Sequence, residues 1–410
     1  MALTFDYKVR DRTGNMVEGQ LEGDSMSLVV GKLREMGYLP ISVTPKSRVR
    51  VNKEIAIPGF TNRVKLTEIA VATRQLATMI DSGLSVVRAL SILATQIENK
   101  ELGRVLGEVR LDVERGSSLS AACARHPKIF NTLFITMVQA GEAGGHLDSV
   151  LLELATTMEK QAVLRRTIKS AMTYPIVVMS VMAVIFLALL VFIVPVFQKL
   201  FASLNAKLPL PTLVVIGISK IILSVWALVL IVLLVIGIVM FRRWIKTDQG
   251  RLKFDAFKLK PPIFGPLFHK VALARFAHTF ASLIDAGVPI LESLDIVSET
   301  AGNRVVGDVL LSAKAGVREG RALADTLHEH EDVIPTLVTQ MVEVGEQTGA
   351  LDAMLHKVGQ FYDGEIETTV NNLTSMLEPL LTVVMGAGVG VMVISMYLPM
   401  FTYIKHIPQS

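Results

Sequence analysis

The chain has 410 residues, of which 51% are hydrophobic, and its mean hydropathy of +0.49 excludes an ordinary soluble protein. Its 41 Lys and Arg residues against 37 Asp and Glu leave a formal charge of only +4, so the overall balance gives no footing for nucleic-acid binding. The single cysteine, Cys123, rules out an intramolecular disulfide framework and any multi-cysteine metal site.

The start has no apolar h-region, so no cleavable signal peptide is expected and the first membrane span must do the targeting. Residues 4–11 and 16–23 alternate, with Phe5, Tyr7 and Val9 placed opposite Val17, Gly19 and Leu21 across the turn Arg12–Asn15. Asp24 or Ser25 can cap a helix carrying Leu28, Val29, Leu33 and Met36, Gly37 is placed to end it, and 39–43 reads as a third strand. A small β-β-α-β module over 1–45 results, too small to hold a catalytic cleft. Residues 46–65 carry Lys46, Arg48, Arg50, Lys53, Arg63 and Lys65 against one acid, Glu54. They read as a linker, either a solvated tether or a contact for anionic lipid headgroups.

From Leu66 to about Glu159 the apolar residues recur at helical spacing, with breaks at Gly83, Asn99, Gly116, Pro127 and Gly144-Gly145. Six helices are predicted, with Met79, Ile80, Val86, Leu90, Leu93, Val105, Leu106 and Val109 facing inward. Cys123 sits among alanines and reads as a small core residue. The sixth helix, opening near Leu147, has no stop before the membrane, and Pro175 is expected to kink it at headgroup level rather than end it.

Three stretches lack acidic, basic and His residues: Pro175 to Phe197, Ile221 to Phe241 and Pro379 to Phe401. Each exceeds the roughly 20 residues a helix needs to cross a hydrocarbon core. Arg165, Arg166 and Lys169 precede the first and Arg242, Arg243 and Lys246 follow the second, so the positive-inside rule places both flanks in the cytoplasm. Arg243 and Trp244 read as an interfacial anchor. The expected division is a first helical bundle at 66–170, a span at 171–198, an external link at 199–211, a span at 212–241, a second bundle at 242–374, a span at 375–401 and an external tail at 402–410. The fold class is therefore mostly α: three transmembrane helices, two duplicated cytoplasmic six-helix bundles and the small N-terminal module.

Duplication is visible in the sequence itself. Gly141-Glu142-Ala143-Gly144-Gly145-His146-Leu147-Asp148 returns 204 positions later as Gly345-Glu346-Gln347-Thr348-Gly349-Ala350-Leu351-Asp352. At the same offset Ala77, Asp81 and Gly83 fall on Ala281, Asp285 and Gly287, while Pro175, Pro195 and Phe197 fall on Pro379, Pro399 and Phe401. In this repeated corner Gly145 and Gly349 can take backbone angles closed to other residues. Glu142 and Glu346 are expected to accept hydrogen bonds from the N–H groups opening the next helix, and Asp148 and Asp352 lie in its first turn. The corner reads as a fold-defining joint, or as that joint with an acidic surface for a partner or divalent cation. Tyr174, Pro175, Pro195, Glu378, Pro379 and Pro399 mark where the long helices meet or bend within the membrane. Gly386 and Gly390 form a G-x-x-x-G pair suited to self-association or intramolecular packing, although such glycines also occur by chance in membrane helices.

The chemistry of catalysis is missing from the pattern. No phosphate loop of the G-x-x-x-x-G-K-[ST] type is present, no G-x-S-x-G elbow, and His328-Glu329-His330 lacks the spacing of H-E-x-x-H. No cofactor is expected. The three apolar cores carry no acidic, basic or His residue to bind an ion or relay a proton, which argues against a transporter or channel. No large external domain supports a receptor.

The doubled corner motif, the Tyr174-Pro175 approach to the first span and the leading β-β-α-β module resemble the PilC/GspF family. These are the inner-membrane platform proteins of type IV pilus and type II secretion machines. One departure is Gly144, where the family usually has Ser or Thr; Thr348 keeps the pattern. The resemblance implies a non-enzymatic, homo-oligomeric platform in the inner membrane, its N-terminus cytoplasmic and its C-terminus external. Implied partners are a hexameric secretion ATPase, pilin or pseudopilin subunits, other inner-membrane assembly proteins and membrane lipid, with no direct nucleic-acid contact. Pilus extension, pseudopilus secretion and DNA uptake all remain open on this basis.

Overall fold

The computed structural model describes residues 3–10, 16–23, 26–45, 64–203, 208–262 and 264–404. The turn Arg12–Asn15, the caps expected at Asp24 or Ser25, the basic segment up to residue 63, part of the external link and the tail from 405 lie outside the described residues. The chain divides into two compact units, Met1–Thr61 and Asn62–Ser410.

In the first unit, β1 (Leu3–Arg10), β2 (Met16–Gly23), α1 (Met26–Glu35) and β3 (Leu39–Pro45) form an antiparallel sheet in the order β2-β1-β3 with one helix. The β1–β2 register sets Phe5 against Leu21, Tyr7 against Gly19 and Val9 against Val17. Phe5, Val9 and Val43 meet Val29 and Leu33 of α1 in a small core. Of the four apolar residues read at helical spacing, Val29 and Leu33 are buried while Leu28 and Met36 are exposed, because a ten-residue helix over three strands buries only one narrow stripe.

The second unit is helical. Its first copy contains α2 (Leu66–Asp81), α3 (Val86–Gln96), α4 (Lys100–Glu114), α5 (Leu119–Ala124), α6 (Thr132–Gly144) and α7 (Leu147–Ala188), the last continuing through a π-helical stretch, Leu189–Ile193, into α8 (Val194–Ser203). After α9 (Leu210–Leu223), α10 (Val225–Ile245) and α11 (Asp248–Leu259) comes the second copy: α12 (Gly265–Asp285), α13 (Ile290–Thr300), α14 (Arg304–Arg318), α15 (Leu323–His328), α16 (Thr336–Thr348) and α17 (Leu351–Ile404). The bounds of α13 to α16 are those of α3 to α6 moved by 204 positions. Local chemistry explains part of that agreement. Asn99 and Asn303 each accept two backbone N–H groups through Oδ1, at 3.1 and 3.2 Å and at 2.9 and 3.4 Å, and so start α4 and α14 at equivalent residues.

Within each copy the first helix packs along the last, α2 on α7 and α12 on α17. The two bundles are not insulated from each other. One continuous apolar core contains Leu90, Leu106 and Met137 of the first copy together with Phe280, Leu294 and Leu310 of the second. Across the junction the buried hydroxyls of Thr157 and Ser282 hydrogen-bond at 2.7 Å, and Ser282 Oγ donates to Glu153 Oε1 at 2.8 Å.

Three helical segments are long and apolar enough to span a bilayer: Leu147–Ser203, Val225–Ile245 and Leu351–Pro399. The second differs from the expected span of 212–241. Ser224 adopts extended angles (φ −99°, ψ 167°) and separates α9 from α10. Thr212 of α9 donates to the Ser395 carbonyl of α17 at 2.5 Å, and Ser219 donates to the Leu190 carbonyl in the π-helical stretch at 2.6 Å. Such hydroxyl-to-carbonyl bonds dock one apolar helix on its neighbours, and the wider π turn offers a carbonyl for one of them. No residue of α10 is buried, so most of its surface faces outward.

Candidate functional site

The repeated motif forms a joint at the base of each long helix. Gly145 (φ 71°, ψ 17°) and Gly349 (φ 70°, ψ 17°) are left-handed C-caps that end α6 and α16 and allow α7 and α17 to start two residues later. Their neighbours close the turn: His146 N–H donates to Gly141 O at 3.1 Å, and Ala350 N–H to Gly345 O at 3.0 Å. Gly141 and Gly345 are required for a second reason. A Cβ at Gly141 would lie 3.2 Å from Leu147 Cα, and one at Gly345 only 2.8 Å from Leu351 Cα, so the two helices of each joint cross at backbone contact. Leu147 and Leu351 pack on the core beside that crossing.

The glutamates do not cap the next helix. Glu142 reaches back and receives Leu119 N–H at 2.5 Å, Ser120 N–H at 3.1 Å and the Ser120 hydroxyl at 2.5 Å, at the start of α5. Glu346 does the same for α15, accepting Leu323 N–H at 2.7 Å and Ala324 N–H at 2.8 Å. Both oxygens of each carboxylate are thus committed to a helix N-terminus 22 or 23 residues upstream, where negative charge also meets the positive end of the dipole. This explains how a six-residue helix with few internal bonds keeps its place in the bundle. Asp148 and Asp352 stand in the first turns of α7 and α17 and make no ion pair or side-chain hydrogen bond among the described residues.

At Gly144 the departure from the repeat has a steric basis: a Cβ there would strike the His146 ring, whereas Thr348 faces Ala350 and donates its hydroxyl to Val344 O at 2.6 Å. Cys123 lies in α5, 2% exposed; burial, and secondarily the Glu142 carboxylate, push its thiol up to about 12. Thiolate is the reactive form, so Cys123 in the folded protein should resist maleimide at neutral pH and react only on denaturation. Mass-spectrometric labelling reads this directly, and rapid labelling of the native protein would refute it.

The membrane-margin residues fall within helices rather than at their ends. Tyr174 is exposed, Pro175 lies inside α7, Pro195 inside α8, and Glu378, Pro379 and Pro399 inside α17. A Cβ added at Gly386 or Gly390 would meet nothing within 4 Å among the described residues; the glycine between them, Gly388, faces the Phe186 ring of α7 instead. His328 and Glu331 form an exposed pair at 2.6 Å, and among the described residues no group of three His, Cys, Asp or Glu side chains could hold a metal ion.

One pair escaped the sequence reading. Arg74 of α2 bonds Glu159 of α7 in a fork, at 2.9 and 2.6 Å, and the positions 204 residues later hold His278 and Asp363, 2.8 Å apart. Each pair pins the first helix of its copy to the long one. The repeat offset was the available signal, but the residue types differ and mask it.

The comparisons bear on the same regions. A profile described as "Type II secretion system (T2SS), protein F" matches residues 72–195 and again 276–399, two segments related by the same 204-residue offset. A second, "Type II secretion system protein F, N-terminal domain", matches residues 1–44. The chain is 40% identical to the type IV pilus assembly protein PilC of Myxococcus xanthus, covering 97% of this chain and 94% of that one. It is also 40% identical to PilC of Thermus thermophilus, with 98% of both covered, and 32% identical to type II secretion system protein F of Pseudomonas aeruginosa, with 97% and 98% covered. With two copies of the domain, the leading module and full-length relatives, this chain belongs to the type II secretion system protein F family, the PilC/GspF family.

Proposed function

We propose that this protein is the inner-membrane platform of a type IV pilus assembly machine, and that it couples a cytoplasmic hexameric ATPase to the insertion of pilin subunits into a filament. The observation that carries the reading is the absence of any break between joint and membrane. α7 runs 42 residues from Leu147 and α17 runs 54 from Leu351, about 60 and 80 Å at 1.5 Å per residue. A force applied to the bundles therefore reaches the apolar segments through continuous helices whose bases are fixed by Gly145, Gly349, Glu142 and Glu346.

The basic flanks Arg165, Arg166 and Lys169, and Arg242, Arg243 and Lys246, support a topology with the bundles and N-terminus in the cytoplasm and the C-terminus outside. The exposed Gly386 and half-buried Gly390, where an added Cβ would meet open space, supply a close-packing stripe for another copy of the chain or a second membrane subunit. The role is mechanical rather than enzymatic. Both relatives at 40% identity are named for pilus assembly. A secretion platform is the second reading, favoured by the full-length match at 32% to a secretion protein F.

In a strain deleted for the gene, complementation should restore surface pili, and the detergent-solubilised protein should copurify with a P-loop secretion ATPase. Normal piliation in the deletion strain would overturn the pilus reading. Loss of an exported enzyme activity with pili intact would establish the secretion reading in its place.

A further inference from the structure

A pocket of about 360 Å³ opens where α7 passes the second copy. Arg165 and Lys169 of α7, Lys258 of α11, Arg275 of α12 and the turn at Gly302 line it. Lys258 is held by Asp255 at 2.9 Å. Arg165, Lys169 and Arg275, by contrast, make no ion pair or side-chain hydrogen bond among the described residues, and no carboxylate lines the pocket. Arg275 is half-buried, and its guanidinium lies against the Gly302 backbone so closely that a Cβ there would sit 2.5 Å from Nη1. Burial, and then the neighbouring Arg165 cation, hold the Arg275 guanidinium below its ordinary pKa. Positive charge is therefore concentrated in a concave site where, among the described residues, Arg165, Lys169 and Arg275 have no acidic partner, an arrangement that an anion relieves.

The duplication shows that the shared scaffold does not demand this set. At the 204-residue offset Arg275 corresponds to Val71 and Gly302 to Glu98, while Arg165 and Lys169 correspond to Thr369 and Leu373. The position along α7 identifies the kind of anion. Lys169 precedes Pro175, where the stretch without ionisable residues begins, by six residues, about 9 Å of helix, and Arg165 precedes it by ten, about 15 Å. The headgroup layer is roughly 5–8 Å deep on each side of the hydrocarbon core, so the pocket opens at its lower edge. Guanidinium groups are matched to phosphate oxygens by bidentate geometry.

We propose that Arg165, Lys169 and Arg275 form a phosphate-binding pocket that takes the phosphate of an anionic lipid headgroup on the bundle side of the membrane. The assignment rests on the membrane reading of α7 and not on the pilus reading. It is measured on purified protein, so its failure is distinct from a failure of filament assembly.

The test uses the full chain in detergent. Thermal stability and retained lipid, the latter by native mass spectrometry, are followed with phosphatidylglycerol, phosphatidylcholine or inorganic phosphate added. Phosphatidylglycerol should stabilise the wild type and phosphatidylcholine should not. The double variant R165Q/K169Q, whose positions are exposed and tolerate change, should bind phosphatidylglycerol about tenfold more weakly, as should Arg275→Gln; Arg166→Gln, outside the pocket, should match wild type. Should Arg275→Gln fail to fold, the double variant carries the result alone. Wild-type lipid binding by the double variant, or equal weakening by Arg166→Gln, overturns the pocket. Stabilisation by inorganic phosphate without any by phosphatidylglycerol overturns the lipid source.

Discussion

Replacing Glu346 with alanine should destabilise the second bundle by about 2–3 kcal/mol, and the same change at Glu142 should destabilise the first comparably. The carboxylate is the partner of two backbone N–H groups, on Leu323 and Ala324, and these residues are only 0% and 3% exposed. Water cannot readily take over buried donors, so the loss includes their desolvation and not merely two bonds. The first copy presents the same demand: Leu119 and Ser120, 2% and 6% exposed, give Glu142 two backbone N–H groups and a hydroxyl, while Ser118 at the N-cap of α5 serves a different donor, Ala121 N–H. Glu142→Ala should therefore also cost about 2–3 kcal/mol. Thermal unfolding of the solubilised protein should place both alanine variants below wild type. Glutamine, which keeps one acceptor, should recover about half of each loss. Equal melting temperatures for all five proteins would show that the carboxylates contribute nothing to the joint.

A Gly-Ser-Gly-Ser insertion between Thr173 and Tyr174 should abolish piliation while leaving membrane insertion and the bundle fold intact. Both flanking residues are exposed, so the inserted residues enter no packed core, and everything beyond them along the helix, Phe186 and Leu190 included, moves by about 6 Å. It does weaken the rod: two glycines and two serines lower local helix stability by roughly 3 kcal/mol relative to alanine. Four alanines at the same place add the same length, about 6 Å, but keep the helix stiff. If stiffness transmits the motor's movement, the alanine variant should retain piliation that the Gly-Ser variant loses. Equal loss from both would mean that spacing matters and stiffness does not. Full activity of the Gly-Ser variant would remove α7 from the coupling path.

How far the sequence reaches differs from residue to residue. The β1–β2 register was legible because alternation at Phe5, Tyr7 and Val9 leaves only one way to bury a face. Helix breaks at Gly83, Asn99 and Gly116 were legible because each rests on local backbone or cap chemistry. The division of the second span was not. Residues 212–241 are apolar throughout apart from scattered hydroxyls and Lys220, and nothing along the chain says that Thr212 and Ser219 will find carbonyls on α17 and in the π-helical stretch. Hydropathy measures transfer into an apolar medium and is silent about which apolar surface the helix meets.

By itself the sequence determined the tandem duplication, the apolar stretches that make this a membrane protein, the left-handed glycine joints and the family. All of these follow from periodicity, composition or a residue's own backbone preference. Only the tertiary structure decided which helix Glu142 and Glu346 cap, that the two bundles share one core, and that Gly388 rather than Gly386 or Gly390 meets Phe186. In each case the partner lies far away in the chain. A carboxylate satisfies whichever N–H groups packing brings within about 3 Å, and that choice is made by the folded bundle, not by the residues beside it.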